Sequence, residues 1–421
     1  MREYLPRLID DVILKKLRLY GSICIQGCKW CGKSTTAKQH SKSYLELQNP
    51  VTQKNNMMIA NTRPDLLLKG DKPRLIDEWQ DVPIIWDAIR YDVDNTGLKG
   101  QYILTGSSTP RDEKPKHTGT GRIVNILMRP MSLYESKEST GEVSLKDLFD
   151  KSQDIEGISK LSLEDIAFLC ARGGWPEGLS FKGEDSYTIA RDYLESIINN
   201  DMKAVDGVER NPTRSRTILR SLSRNISTTA NLSIIRNDTK ISDNDISEKT
   251  ISEYIKVLEE IYIVDDVEAW QPKLRSKTDI RTSKKREFVD PSIAVASLRA
   301  TDKDLLRDFN TFGFIFEALC IRDLKIYSQN IDGEVYYYRD KRGLECDAVI
   351  HLHDGRWGAI EIKLGSDEAI NEAAKNLLKF KDNIDISEMN EPSFLMILTG
   401  TEYAYKREDG VYVVPLGTLK N

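Results

Sequence analysis

Short apolar runs, each closed by a polar tip, recur through the first third of the chain. Ser22-Ile23-Cys24-Ile25, Leu75-Ile76, Gln101-Tyr102-Ile103-Leu104 and Ile123-Val124-Asn125-Ile126-Leu127 read as buried strands with helices between them. That alternation predicts a parallel α/β sheet. From residue 161 the period changes. Leu163, Ile166, Ala167 and Cys170 keep helical spacing, as do Tyr187, Ile189, Tyr193, Leu194, Ile197 and Ile198. Gly173-Gly174-Trp175-Pro176-Glu177 breaks the two apart. Thr217, Ile218, Leu219 and Leu222 predict another helix. Ile251, Tyr254, Ile255 and Leu258 predict one more, with Ser247 as its N-cap and a strand after it at Ile261–Val264. Further on, Phe309, Phe312 and Phe316 mark a buried helix. Strands are predicted at 334–339, 345–352, 357–364, 394–398 and 411–415, with a helix over 366–379.

The residues at the strand tips carry chemistry. Directly after the first strand comes Gly27-Cys28-Lys29-Trp30-Cys31-Gly32-Lys33-Ser34, followed by Thr35 and a helical segment. Strand, glycine loop, lysine, hydroxyl and helix in this order form a P-loop. Its glycines let backbone N–H groups curl round phosphates, and the helix N-terminus adds positive dipole. Lys33 is expected to reach the terminal phosphates of ATP, and Ser34 to ligate Mg2+. Asp77 is expected to hold the same magnesium, usually through water, and Glu78 to act as general base toward the attacking water. Ser107 and Ser108, after the third strand, suit contact with the γ-phosphate; the alternative is an ordinary turn whose hydroxyls cap a helix. Arg122 is the candidate finger reaching a neighbouring subunit's nucleotide, with Arg129 behind it; the alternative is a solvated surface arginine. A finger acting in trans implies a homo-oligomer. Cys28 and Cys31 form a Cys-x-x-Cys inside the loop. They read either as fillers of variable positions or as a redox pair, and a zinc site lacks two further ligands nearby.

Composition narrows the class. A chain of 421 residues exceeds one ordinary core, so several domains are expected. Charged residues at 30% and hydrophobic ones at 39% suit a globular protein. The formal net charge of -5 excludes a uniformly basic nucleic-acid binder, so any such site must be a local patch. The charged start MREYLPRLIDD has no apolar signal region, and no apolar run reaches about eighteen residues. A cytoplasmic location away from membranes is therefore the expectation, and six scattered cysteines fit a reducing compartment.

Two local basic patches stand out in the middle of the chain. Arg214, Arg216, Arg220 and Arg224 recur along one predicted helix. Lys273, Arg275, Lys277, Arg281, Lys284, Lys285 and Arg286 crowd the region after the next. Residues 212–270 read as a helix-turn-helix with a wing, whose last helix would offer Lys249, Thr250, Ser252 and Lys256 to a major groove. The competing reading is a packing module between domains. Nearer the C-terminus, Asp347 lies in one strand and Glu361-Ile362-Lys363 in the next. Period-2 alternation puts Glu361 and Lys363 on one face, and Glu317 can approach from a helix.

Taken in order, these motifs resemble a prokaryotic AAA+ ATPase family that carries an N-terminal ATPase domain and a C-terminal domain of uncharacterised function. The matching residues are Tyr4-x-x-Arg7, GCKWCGKST, LIDEWQDVP, ILTGSS, Gly121-Arg122, RPMSLYE at 129–135 and Gly173-Gly174-Trp175-Pro176-Glu177. Glu317, Asp347, Glu361 and Lys363 resemble a restriction-endonuclease-like (PD-(D/E)xK) site. The resemblance implies that the three carboxylates bind magnesium and that Lys363 orients or activates water. The expected fold is a multidomain α/β one: an AAA+ core with parallel sheet (1–158), a helical lid (159–210), a winged helix with basic wing (211–290) and an α/β restriction-endonuclease-like domain (291–421). Two functions stay open. Either ATP drives engagement of nucleic acid, DNA foremost, which the C-terminal site cuts; or the chain is a nucleotide-gated switch binding DNA or a protein without cutting.

Overall fold

The computed structural model describes residues 4–107, 118–150, 154–203, 207–240, 246–272, 283–384 and 389–421. The chain divides into two compact units. The first comprises Met1–Pro130, Ser196–Arg210 and Lys256–Ile263; the second comprises Met131–Glu195, Asn211–Ile255 and Val264–Asn421.

The first unit is built on β1 (Ser22–Gln26), β2 (Ser43–Glu46), β3 (Arg74–Asp77), β4 (Tyr102–Gly106) and β5 (Ile123–Leu127). They form a parallel sheet in the order β2-β3-β4-β1-β5. Ile23, Cys24, Ile25, Leu75, Ile76, Ile103 and Leu104 are fully buried, as strands covered on both faces must be. The helices that cover them are amphipathic. Ile9, Ile13 and Leu17 of α1 (Ile9–Leu19) recur every fourth residue and point inward. α4 (Ile84–Thr96) buries Ile85, Trp86, Ile89 and Val93, then stops at Gly97, whose φ of 67° closes the helix. Between them in sequence lie α2 (Lys33–Gln39) and α3 (Gln53–Thr62). Parallel pairing places the polar ends of β1, β3 and β4 along one edge of the sheet.

The second unit holds a mixed seven-stranded sheet. Its strands include β8 (Gly333–Arg339), β9 (Glu345–Leu352), β10 (Trp357–Lys363), β11 (Phe394–Thr399), β12 (Tyr403–Lys406) and β13 (Tyr412–Pro415). Five of these follow the sequence expectation closely, whereas β12, whose burial pattern alternates between exposed and buried residues, has no counterpart among the expected strands. Trp270, Trp357, Phe380 and Tyr338 pack as an aromatic cluster at its core.

Two expected boundaries need correction. Residues 131–158 were assigned to the ATPase core, yet β6 (Val143–Ser144) pairs with β14 (Leu419–Lys420), and β7 (Gly157–Ile158) extends the large sheet beside β12. The helical lid at 159–210 is also split. The helix Leu163–Arg172 packs against helices at Pro291–Leu298, Asp302–Arg307 and Phe309–Asn330 of the second unit. Only Ser196–Arg210 belongs with the parallel sheet of the first unit.

A buried ion triad explains much of that docking. Arg322 is paired with Asp290 at 2.9 Å and with Asp323 at 2.7 Å, all three being inaccessible. The spare carboxylate capacity is taken by backbone: Leu133 N–H donates to Asp323 and Gly174 N–H to Asp290, each at 2.9 Å. The RPMSLYE and GGWPE motifs are thus organised around one ionic centre. Buried charges persist when paired and fully hydrogen-bonded in this way.

Three helices, Pro212–Arg224, Leu232–Thr239 and Glu248–Glu260, occupy the expected helix-turn-helix segment. Ser247 caps the third, its Oγ accepting from Thr250 N–H at 3.1 Å. The strand expected at Ile261–Val264 is instead a turn with Tyr262 at φ 60°. Isolated antiparallel bridges, Val264 to Phe288 and Val267 to Lys285, follow it.

Candidate active site

At the polar edge of the parallel sheet, β1 runs into the loop Gly27–Gly32, and α2 begins at Lys33. Gly27 has φ 153° and a Cβ there would lie 2.2 Å from the Met128 carbonyl oxygen, so no other residue fits. Gly32 enters the helix at φ 102°. Lys33 is buried, with its Nζ donating to the Cys28 carbonyl at 2.8 Å. Lys29 projects outward to Asp201 at 2.8 Å, and Trp30 is half exposed at φ 64°. Arg7 braces the loop: its guanidinium donates to the carbonyls of Cys31 and Arg129, both at 2.9 Å. Tyr4 donates to Asp10 and to Thr36, one residue beyond Thr35 in α2.

The acidic partners meet this loop directly. Ser34 Oγ donates to Asp77 Oδ1 at 2.6 Å, and Thr105 Oγ1 donates to the same oxygen at 2.5 Å. Thr105 also accepts from the Glu78 N–H at 3.1 Å. Glu78 itself has φ 55°, a conformation that turns its side chain away from the strand direction. Its carboxylate accepts from Ser107 Oγ at 3.2 Å and from the Gln80 amide. Ser34, Asp77, Glu78 and Ser107 are therefore brought together; Ser108 lies outside the described residues. Thr105 and Gln80 belong to the same network, and Arg7 braces the loop; none of the three is among the site residues expected from the sequence. A threonine inside an otherwise apolar strand end was the available signal for the first.

Arg122 lies elsewhere. β1 pairs with β5 through Ser22 and Ile123, so Arg122 sits at the opposite edge of the sheet from the P-loop. Five strand residues, roughly 17 Å, separate the two edges. Its Nε contacts Asp94 at 2.5 Å.

The donor set at the P-loop suits magnesium: a hydroxyl and a carboxylate are hard oxygen ligands, and they already touch. The second unit is different. Lys363 Nζ stands 3.0 Å from Asp347 and 2.9 Å from Glu361, and Asp347 also accepts from Ile362 N–H at 2.9 Å. Lys285, read from sequence as a nucleic-acid contact, is buried here and paired with Glu317. That corrects its assignment: the Lys284-Lys285-Arg286-Glu287 run alternates, turning Lys285 and Glu287 inward. Arg286 is likewise turned onto Asp266 at 2.6 Å. Lys284 reaches Glu268 at 3.1 Å. Lys249 and Lys256 are exposed, but Glu248 and Glu253 are exposed on the same helix. Lys273, Arg275, Lys277 and Arg281 lie outside the described residues.

Burial dominates the electrostatics of this second cluster. Desolvation raises the carboxyl of Glu361 to about 8 and that of Glu317 to about 7, against the opposing pull of the lysines. Glu287 is pushed up to about 8 by the same cause. Asp347 is held below its ordinary value: burial works upward, and the charges of Lys363 and Lys285 with the Ile362 N–H overcome it. Among the described residues, no three His, Cys, Asp or Glu side chains stand close enough together to hold a metal ion. In this arrangement Lys363 bridges Asp347 and Glu361, and Lys285 pairs with Glu317. Among the same residues, no helix is long and apolar enough to cross a membrane.

Three families match successive parts of the chain. Residues 20–137 match an AAA domain, 163–304 a domain of unknown function (DUF8612), and 312–419 another domain of unknown function (DUF4143). No curated protein matches. Among solved structures, the Walker-type ATPase PABY2304 of Pyrococcus abyssi aligns at 13% identity over 70% of this chain and 96% of its own, with a TM-score of 0.43. A DNA replication initiation factor aligns at 18% identity over 60% and 86%, with a TM-score of 0.25. The P-loop, its acidic strand tip and the parallel sheet agree with the first family match, in which residues 20–137 are similar to an AAA domain.

Proposed function

We propose that the chain binds and hydrolyses ATP at the P-loop edge of the first unit. The contact that carries this reading is Ser34 to Asp77, at 2.6 Å, beside the lysine and the second acid. Ser34 and Asp77 would hold magnesium, which supplies charge neutralisation on the phosphates when bound. Lys33 exchanges the Cys28 carbonyl for the terminal phosphates. Loop N–H groups orient the chain of phosphates. Ser107 and Gln80 hold the Glu78 carboxylate, which accepts the proton of the attacking water. Thr105 ties both acids to β4. Arg122 cannot reach this site in its own chain and acts, in this reading, on the site of a second copy.

For the second unit the geometry favours the switch over the nuclease. Each carboxylate of the Asp347–Glu361–Glu317 set is already engaged by a lysine, so the unit serves binding of DNA or a protein rather than cutting. The test uses phosphate release from ATP and integrity of plasmid and RNA substrates in one magnesium-containing reaction. Wild type should release phosphate and leave the substrates intact, and Lys33→Ala should release none. Nicking that disappears in Asp347→Ala or Lys363→Ala would return the unit to the nuclease class.

A further inference from the structure

The P-loop contains a feature that ATP chemistry does not use. Cys28 and Cys31 are both fully buried and both reduced. They occupy the ends of a hydrogen-bonded turn over Lys29 and Trp30. Ends of such turns lie within about 7 Å at Cα, inside the reach of a disulfide. The neighbouring Cys28 thiol, with Lys33 and Arg7 nearby, lowers the Cys31 thiol to about 6 against the upward push of burial. A lowered thiol favours the thiolate, which is the nucleophilic form of cysteine. The other cysteines differ: burial raises the thiols of Cys24, Cys170, Cys320 and Cys346.

The pair also sits on the groups that shape the phosphate cradle. Lys33 rests on the Cys28 carbonyl, and Arg7 holds the Cys31 carbonyl. A Cβ at Gly27 would lie 3.4 Å from the Cys31 sulfur and 2.2 Å from the Met128 oxygen, so the loop is packed on both sides. Drawing the two sulfurs into a bond must therefore move backbone rather than empty space.

We infer that Cys28 and Cys31 form an oxidisable dithiol within the P-loop, whose disulfide excludes the triphosphate. This rests on the proposed binding of ATP at that loop. The oxidant class is a peroxide. Cys31 thiolate attacks one peroxide oxygen; the O–O bond breaks, a sulfenic acid forms, and the departing hydroxide takes a proton to become water. Cys28 sulfur then attacks the Cys31 sulfur, losing its proton to the departing hydroxide. The two sulfurs are oxidised by two electrons in total, one peroxide is reduced, and two waters are made. A small reductant or thiol reverses it by exchange. Because binding and oxidation exclude one another, bound ATP must protect the thiols to the same degree that the disulfide weakens ATP.

The experiment uses the full chain and a fluorescent N-methylanthraniloyl ATP with magnesium. Affinity is measured on reduced protein, on protein treated with hydrogen peroxide and cleared of it, and after dithiothreitol. Peptide mapping by mass spectrometry locates the disulfide. The expected result is a Cys28–Cys31 disulfide, affinity at least tenfold weaker, and full recovery on reduction. Within Cys28→Ser and within Cys31→Ser, the ratio of reduced to peroxide-treated affinity should fall to one. Should either serine variant fail to fold, mapping and reversal in wild type decide. A disulfide that leaves affinity unchanged overturns the inference, as does peroxide treatment that joins no Cys28 to Cys31. Reduced wild type that binds no nucleotide overturns the ATP reading and this inference with it; intact binding in both redox states overturns this inference alone.

Discussion

Thr105 shows how much of the site rests on single hydroxyls. It donates to the Asp77 oxygen that Ser34 also uses and accepts from the Glu78 N–H. Thr105→Val keeps the shape and removes both bonds. The expected outcome is a fall in kcat of about tenfold, roughly 1.4 kcal/mol of transition-state stabilisation, with a smaller change in KM. Lys33→Ala should weaken nucleotide binding itself, on the order of a hundredfold, readable by titration with the fluorescent nucleotide. Lys33, Ser34, Asp77, Glu78 and Ser107 were legible because each follows an apolar strand, where spacing alone points a polar side chain at the sheet edge. Arg7 was legible only as a motif letter. Its role depends on carbonyls 24 and 122 residues away in sequence, which no local pattern encodes. Lys285 was misread for a related reason. A run of cations looks like a solvated face until alternation along a partly paired segment buries every second one.

At the level of elements, strands and helices with clean periodicity were foreseen to within a few residues, as β9 and β10 illustrate. The failures lie where tertiary contacts override local pattern. β6 and β7 are two residues each and exist only because the C-terminal segment pairs with them. The GGWPE turn was read as a breaker between lid helices, whereas Gly174 is packed against Met131, with a Cβ site 2.1 Å from that residue's carbonyl oxygen. Gly174→Ala should therefore cost about 3 kcal/mol by overpacking. Arg322→Met should cost on the order of 4 kcal/mol, because it leaves Asp290 and Asp323 buried without their cation. Chemical unfolding monitored by tryptophan fluorescence measures both, and Trp175, whose indole donates to Ser292 beside the triad, is a local reporter.

Across the whole molecule, the ionised cluster predicts a pH response. Glu361, Glu317 and Glu287 bind protons more tightly folded than unfolded, with folded values raised to about 8, 7 and 8. Their contribution is full below about pH 4.5 and is lost as pH rises through the folded values. Between pH 5 and 8.5 the Tm of the second unit should fall by roughly 5 °C or more, and Glu361→Gln should flatten that slope. The position of Arg122 makes a separate prediction. Arg122→Ala and Lys33→Ala should each be nearly inactive alone, and mixing them should restore activity if one copy supplies the finger and the other the P-loop. Activity absent from the mixture would confine Arg122 to its contact with Asp94. The functional reading depends on one property of the first unit, and phosphate release from ATP by the reduced protein measures it most directly. The account predicts magnesium-dependent release by wild type and a fall of at least a hundredfold in Glu78→Gln, with ATP still bound. Wild-type protein that neither binds nor hydrolyses ATP would contradict it.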